Sequence, residues 1–274
     1  MTTLAIAAVI LAASLAAGLA PRAFAARLTN RQLEDLTGVA SGLLLASAFL
    51  VVVPEGFHTA SEAATDGEAF VYEPVVLGVA ILAGFALMLL LEGIGIGHAV
   101  HEEHHDHAQG HGHGHVHHPT SAGSLAVGLS VHALADGLAI GAAAAAGDTT
   151  FSLLVAAGVL VHRVPAALSL GLFSLNESDK SIGGLGGLLL FAVATPAAIV
   201  LSFLVLDDAD QGLVALALLF SAGTFIYVAT VDTLPAVHNT ETGRRSVRNV
   251  LMSAGVFTVV LLILQSTEAL EHGH

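Results

Sequence analysis

Eight apolar runs, each close to the ~20 residues a helix needs to cross a bilayer, dictate what this chain can fold into. They cover about 3–21, 36–57, 74–98, 122–146, 150–173, 182–206, 212–236 and 248–267. In lipid, every backbone N–H and C=O must find its partner inside the segment, so continuous runs of this kind are helices. A membrane barrel would instead show alternating segments of roughly ten residues. The expected fold is therefore all-α: one polytopic transmembrane domain over residues 1–274, embedded in a lipid bilayer. Composition agrees. Charged residues make up 11% of the chain, against about 25% in a soluble domain, too few to coat a soluble globule. With no Cys, neither disulfides nor thiolate metal sites are available. A formal net charge of −14 leaves no basic footprint for nucleic acid and suits cations better than anions.

The short polar connections set the orientation. Ala23-Phe24-Ala25 looks like a signal-peptide cleavage site. Yet no basic residue precedes the first run, and the run is longer than a signal core, so it is expected to persist as a span. Numbering the loops alternately from an outside Met1, Arg22, Arg27, Arg31, Lys180, Arg244, Arg245 and Arg248 all fall inside. The outside loops carry acids: Glu62, Asp66, Glu68, Glu73, Asp148, Asp207, Asp208 and Asp210. This asymmetry obeys the positive-inside rule and predicts both termini outside the cell membrane. A weak internal repeat accompanies it. Ser41-Gly42 precedes Pro54 and His58 in the second run, as Ala222-Gly223 precedes Pro235 and His238 in the seventh. The two runs cross in opposite directions, the pattern of an inverted repeat.

Ten of the sixteen histidines fall between 98 and 118. The segment 101–118 reads HEEHHDHAQGHGHGHVHH, too polar and glycine-rich to pack. Its imidazoles at His101, His104, His105, His107, His111, His113, His115, His117 and His118 suit zinc, copper or nickel, giving a loose cytosolic metal-binding tract. The bland alternative is a solvated linker. His101-Glu102-Glu103-His104-His105 matches the metalloprotease pattern H-E-x-x-H, but a loop lacks the stable helix and third ligand that mechanism needs.

Ionisable residues inside the spans are costly and mark functional sites. His132 and Asp136, four apart in the fourth run, share one helix face. In the fifth run, Pro165 cannot donate to the carbonyl of Val161, which kinks the chain beside His162. The two runs are joined by residues 147–149, so they form an antiparallel hairpin with His132 and His162 at similar depth. Nitrogen and oxygen donors from His132, Asp136 and His162 make a site for a borderline divalent cation, with an open position for an ion that must leave again. Interhelical hydrogen bonding is the structural alternative. Arg163 has two readings: a fixed charge neutralising Asp136 in place of a second metal, or a side chain snorkelling to water. Glu55 and His58 at the outer end of run two, and Glu92, His98, Asp232 and His238 toward the inner ends of runs three and seven, are secondary candidates. Each is equally a helix-end polar residue.

These motifs resemble the ZIP family of divalent metal transporters, and they cover almost the whole chain. They include the eight helices, the histidine loop between helices three and four, and Pro54-Glu55 in helix two. They also include His132-Ala133-Leu134-Ala135-Asp136-Gly137, His162-Arg163-Val164-Pro165-Ala166-Ala167 and Ala222-Gly223-Thr224-Phe225-Ile226-Tyr227-Val228-Ala229-Thr230. The first two of these stretches are similar to the subfamily I version. The resemblance implies uptake of Zn2+, with Fe2+, Mn2+ and Cd2+ as further cargoes, through a site between spans four and five. It implies a homodimer, an elevator-like shift of one helix bundle and no organic cofactor. Ala133 and Ala166 stand where the better-known pattern has Asn and Glu, which favours one metal over two. Rival readings of the same residues are an intramembrane zinc hydrolase, which lacks a spare base, and a metal sensor without flux.

Overall fold

The computed structural model describes residues 2–23, 29–66, 70–94, 122–146, 149–176, 185–207, 209–238 and 243–271. Among them there are helices and no strands. In chain order they are α1 (Thr2–Ala23), α2 (Asn30–Ser47), a π-helical segment (Ala48–Val52), α3 (Val53–Asp66) and α4 (Pro74–Gly93). These are followed by α5 (Ala122–Ala145), α6 (Thr149–Asn176), α7 (Leu185–Leu206), α8 (Gln211–His238) and α9 (Gly243–Glu271). Eight stretches are long and apolar enough to cross a membrane, α2, the π segment and α3 together supplying the second.

Local chemistry sets the ends. Thr29 and Gln32 form a reciprocal capping box at the start of α2. The second helix therefore begins well before the apolar run at 36, and it continues past 57 to Asp66. Glu55 and His58 consequently sit inside a helix rather than at its end. Pro54 has no amide hydrogen for the carbonyl of Leu50, which accounts for the break in α register just before it. At the other face, Asp210 accepts from the Gly212 N–H at 2.8 Å and from the Phe70 N–H at 3.1 Å, tying the start of α8 to the strap before α4. Helix α4 ends at Gly93, short of the run to 98.

The helices pack as two groups. In the first, α1 lies on α6 and α7, and α5 on α6 and α7. In the second, α2 lies on α8 and α9, and α3 and α4 on α8. The groups meet where α5 touches α8 and α2 touches α6. The principal pairings map onto one another when the first three spans exchange with the last three and α5 exchanges with α6, although the smaller contacts of α7 with α6 and of α9 with α8 are not matched by comparable ones. The pairing α2–α9 becomes α8–α4, α1–α6 becomes α7–α5, and α2–α6 becomes α8–α5. The repeat visible at Gly42 and Gly223 thus has a packing counterpart. A Cβ on Gly42 would lie 2.3 Å from the Val250 carbonyl oxygen on α9, and one on Gly223 would lie 2.0 Å from that of Ile81 on α4. Only a residue without a side chain permits those backbone approaches. The outer helices α4 and α9 leave most of their apolar surface uncovered, whereas α5 and α8 are mostly buried, as expected of a bundle solvated by lipid.

Candidate metal site

The fourth and fifth spans, α5 and α6, supply the centre of the first group. The helical spacing of His132 and Asp136 places His132 Nε2 3.3 Å from Asp136 Oδ1, with both side chains almost fully buried. Arg163 of α6 reaches the same carboxylate, its Nη1 lying 3.7 Å from Asp136 Oδ2.

Arg163 is 1% exposed, which excludes the snorkelling reading. The bundle satisfies it instead. Its Nε donates to Ser14 Oγ at 2.6 Å, Nη1 to Thr195 Oγ1 at 2.6 Å, and Nη2 to the Phe191 carbonyl at 2.5 Å. The guanidinium also stacks 4.1 Å from the centroid of the Phe191 ring. Each hydroxyl donates its own hydrogen onward, Ser14 to the Ile10 carbonyl and Thr195 to the Ala133 carbonyl. An oxygen whose hydrogen is committed elsewhere presents lone pairs to the cation, so both are oriented as acceptors. Helices α1, α5, α6 and α7 are thereby fastened around one fixed positive charge beside Asp136.

Among the described residues, no three His, Asp or Glu side chains come together as a ligand cluster. His162, Asp232 and His238 lie on α6 and α8, but their side chains fall outside the described residues. His98 and the tract 101–118 lie outside them altogether. At the second span, His58 Nδ1 is 3.6 Å from Glu62 Oε2, both side chains more than half exposed. Glu92 accepts a short hydrogen bond from the Tyr227 hydroxyl, which crosses from α8, and the Tyr227 ring meets Phe85 edge-on at 5.1 Å. This contact joins α4 to α8 within the second group.

Ser14, Thr195, Phe191 and Tyr227 are the participants that sequence reasoning overlooked. A signal for two of them was present. Ser14 and Thr195 stand at the same offset in the chain as Gly42 and Gly223, and as Pro54 and Pro235. They are equivalent positions of the repeat, converging on Arg163 from α1 and α7.

The sequence profile of the ZIP zinc transporter family matches residues 2–124 and 97–263. A zinc transporter ZIP9 of Micropogonias undulatus is 32% identical, the match covering 78% of each chain. ZIP9-B of Xenopus laevis is likewise 32% identical over 78% of each chain. A ZIP9 of Macaca fascicularis is 38% identical over 40% of this chain and 50% of its own. These are transporters and not enzymes, which disposes of the hydrolase reading. Eight spans, a packing pattern that repeats with inversion, a buried His–Asp pair on the fourth span and matches along nearly the whole sequence lead to one assignment: this chain belongs to the ZIP family of zinc transporters.

Proposed function

We propose that this protein carries divalent metal ions, zinc foremost, from the outside into the cytosol through a site built from His132, Asp136 and His162. The observation that carries this reading is the burial of His132 and Asp136 together inside a lipid-embedded bundle. Such a pair is costly there unless an ion or an opposite charge offsets it. His162 lies on α6, which packs against α5, and is the third donor of this reading. The relatives' names support zinc as cargo. Fe2+, Mn2+ and Cd2+ fit the same nitrogen and oxygen donors less selectively.

Arg163 supplies a permanent unit charge where a two-metal centre would place its second ion, so the site holds one dication at a time. Acidic outer connections, with Glu55 and His58 beside them, concentrate cations at the mouth. Glu92, Asp232 and His238 line the inner half of the route, and the histidine tract from His98 to His118 receives the ion in the cytosol. Both termini lie outside, the membrane is the cell membrane, and two chains associate as a homodimer.

Reconstitution in proteoliposomes tests the site. His132→Ala and Asp136→Ala are each expected to abolish radioactive zinc accumulation while the protein still elutes as a folded species. Undiminished accumulation in both variants discards the assignment. Binding of zinc without any accumulation by the unmodified protein favours a sensor.

A further inference from the structure

Several buried hydroxyls in these spans turn back on their own helices. Ser14 donates to Ile10, Ser130 to Ala126, Ser202 to Ala198 and Thr224 to Ser221, in each case to the carbonyl oxygen. That is the ordinary way to satisfy a hydroxyl in a helix solvated by lipid. Ser221 and Ser47 do not follow it, and of the two only Ser47 adjoins a break in the α-helical register. The Ser47 side chain is fully buried, and its Oγ has no hydrogen-bond partner among the described residues.

Its position is specific. Ser47 is the last residue of α2, and the next residue opens the π-helical segment. Such a segment is uncommon in helices and is frequent at functional sites. Opposite it stands Gly158 of α6, where an added Cβ would come within 2.8 Å of Ser47 Oγ. The hydroxyl is therefore in the seam where the second helix group meets the first. Gly158 precedes His162 by one helical turn, on the outer side in the orientation proposed above. The π segment beside it packs on both α6 and α8. A side chain on α6 at that position would seal the seam; the glycine leaves the hydroxyl facing α6 instead.

We propose that Ser47 Oγ is an ion contact on the outer pathway, meeting the partly dehydrated dication before it reaches His132 and Asp136. This inference rests on the transport reading. An ion entering an apolar seam must replace its waters stepwise, and a single neutral oxygen replaces one of them without holding the ion too tightly to release it. A hydroxyl with that role keeps its lone pairs for the cargo instead of committing them to a neighbouring helix.

The chain contains no cysteine, so Ser47→Cys introduces a single thiol. The test uses the full-length protein in proteoliposomes, with Glu62→Cys as an exposed control and Zn2+ alone as the ligand. A membrane-impermeant cationic thiosulfonate is added on the side from which the Glu62→Cys control is labelled. The Ser47→Cys protein is expected to react, and saturating zinc to slow the reaction severalfold. Ser47→Ala is expected to lower the zinc uptake rate about tenfold, the scale of one lost polar contact to a charged species. Absence of labelling in the Ser47→Cys protein with and without zinc, or Ser47→Ala transporting at the unmodified rate, overturns the role of Ser47. His132→Ala run in parallel separates the two claims. Loss of flux there with silent Ser47 variants removes only this contact, whereas full flux there removes the site beneath it.

Discussion

Arg163→Met is the most informative perturbation of this protein. The substitution keeps the length and apolar stem of the side chain and deletes the guanidinium. It removes the hydrogen bonds to Ser14, Thr195 and Phe191 and the charge 3.7 Å from Asp136. At that separation two unit charges attract by about 4 kcal/mol with an effective dielectric near 20. Burying the guanidinium opposes this gain, so the pair by itself stabilises far less. Truncating one partner is a different matter, because the Asp136 carboxylate then stays buried without its cation. Arg163→Met is therefore expected to cost about 3–5 kcal/mol, measured as the free energy of unfolding in mixed detergent micelles. Arg163→Lys keeps a point charge but cannot fork to two helices, and should fall between Met and the unmodified protein. Adding Asp136→Asn to Arg163→Met removes the stranded charge and should restore part of the loss, with a coupling of at least ~1 kcal/mol. Strictly additive effects, or an Arg163→Met protein as stable as the unmodified one, would refute the idea that this buried charge pair fastens the bundle.

Two further outcomes follow from the packing. Gly223→Ala forces a methyl to within 2.0 Å of the Ile81 carbonyl oxygen and should cost about 1–3 kcal/mol, whereas Gly78→Ala, with nothing within 4 Å, should leave thermal stability unchanged; equal shifts for the two in a melting assay would contradict the close approach of α8 to α4. Tyr227→Phe keeps the edge contact with Phe85 but takes the donor from half-buried Glu92, so it should destabilise by about 1 kcal/mol. That loss should shrink in a Glu92→Gln background; an undiminished loss would show that the hydroxyl acts elsewhere.

What each level of description decided divides along physical lines. Hydropathy along the chain was enough for the all-α architecture and the number of spans, because a long apolar segment in lipid has one way to satisfy its backbone. The internal repeat marked Gly42 and Gly223, but their close approaches to α9 and α4 came from the packing. The sequence also paired His132 with Asp136, which local helical spacing brings together. It could not choose between the two readings of Arg163, because a long cationic side chain in a span is compatible with either until its neighbours are known. Those neighbours are remote in the chain: Ser14 lies 149 residues away and Thr195 lies 32 away. The break at Ala48–Val52 and the unpartnered hydroxyl beside it were likewise invisible, since Pro54 alone signals a missing amide without saying how the backbone adjusts. Sequence alone determined which segments leave water and which residues share a helix face, both of them local properties of the chain. Only the tertiary structure decided which faces meet, because the acceptors around a buried charge come from helices brought together by packing rather than by spacing.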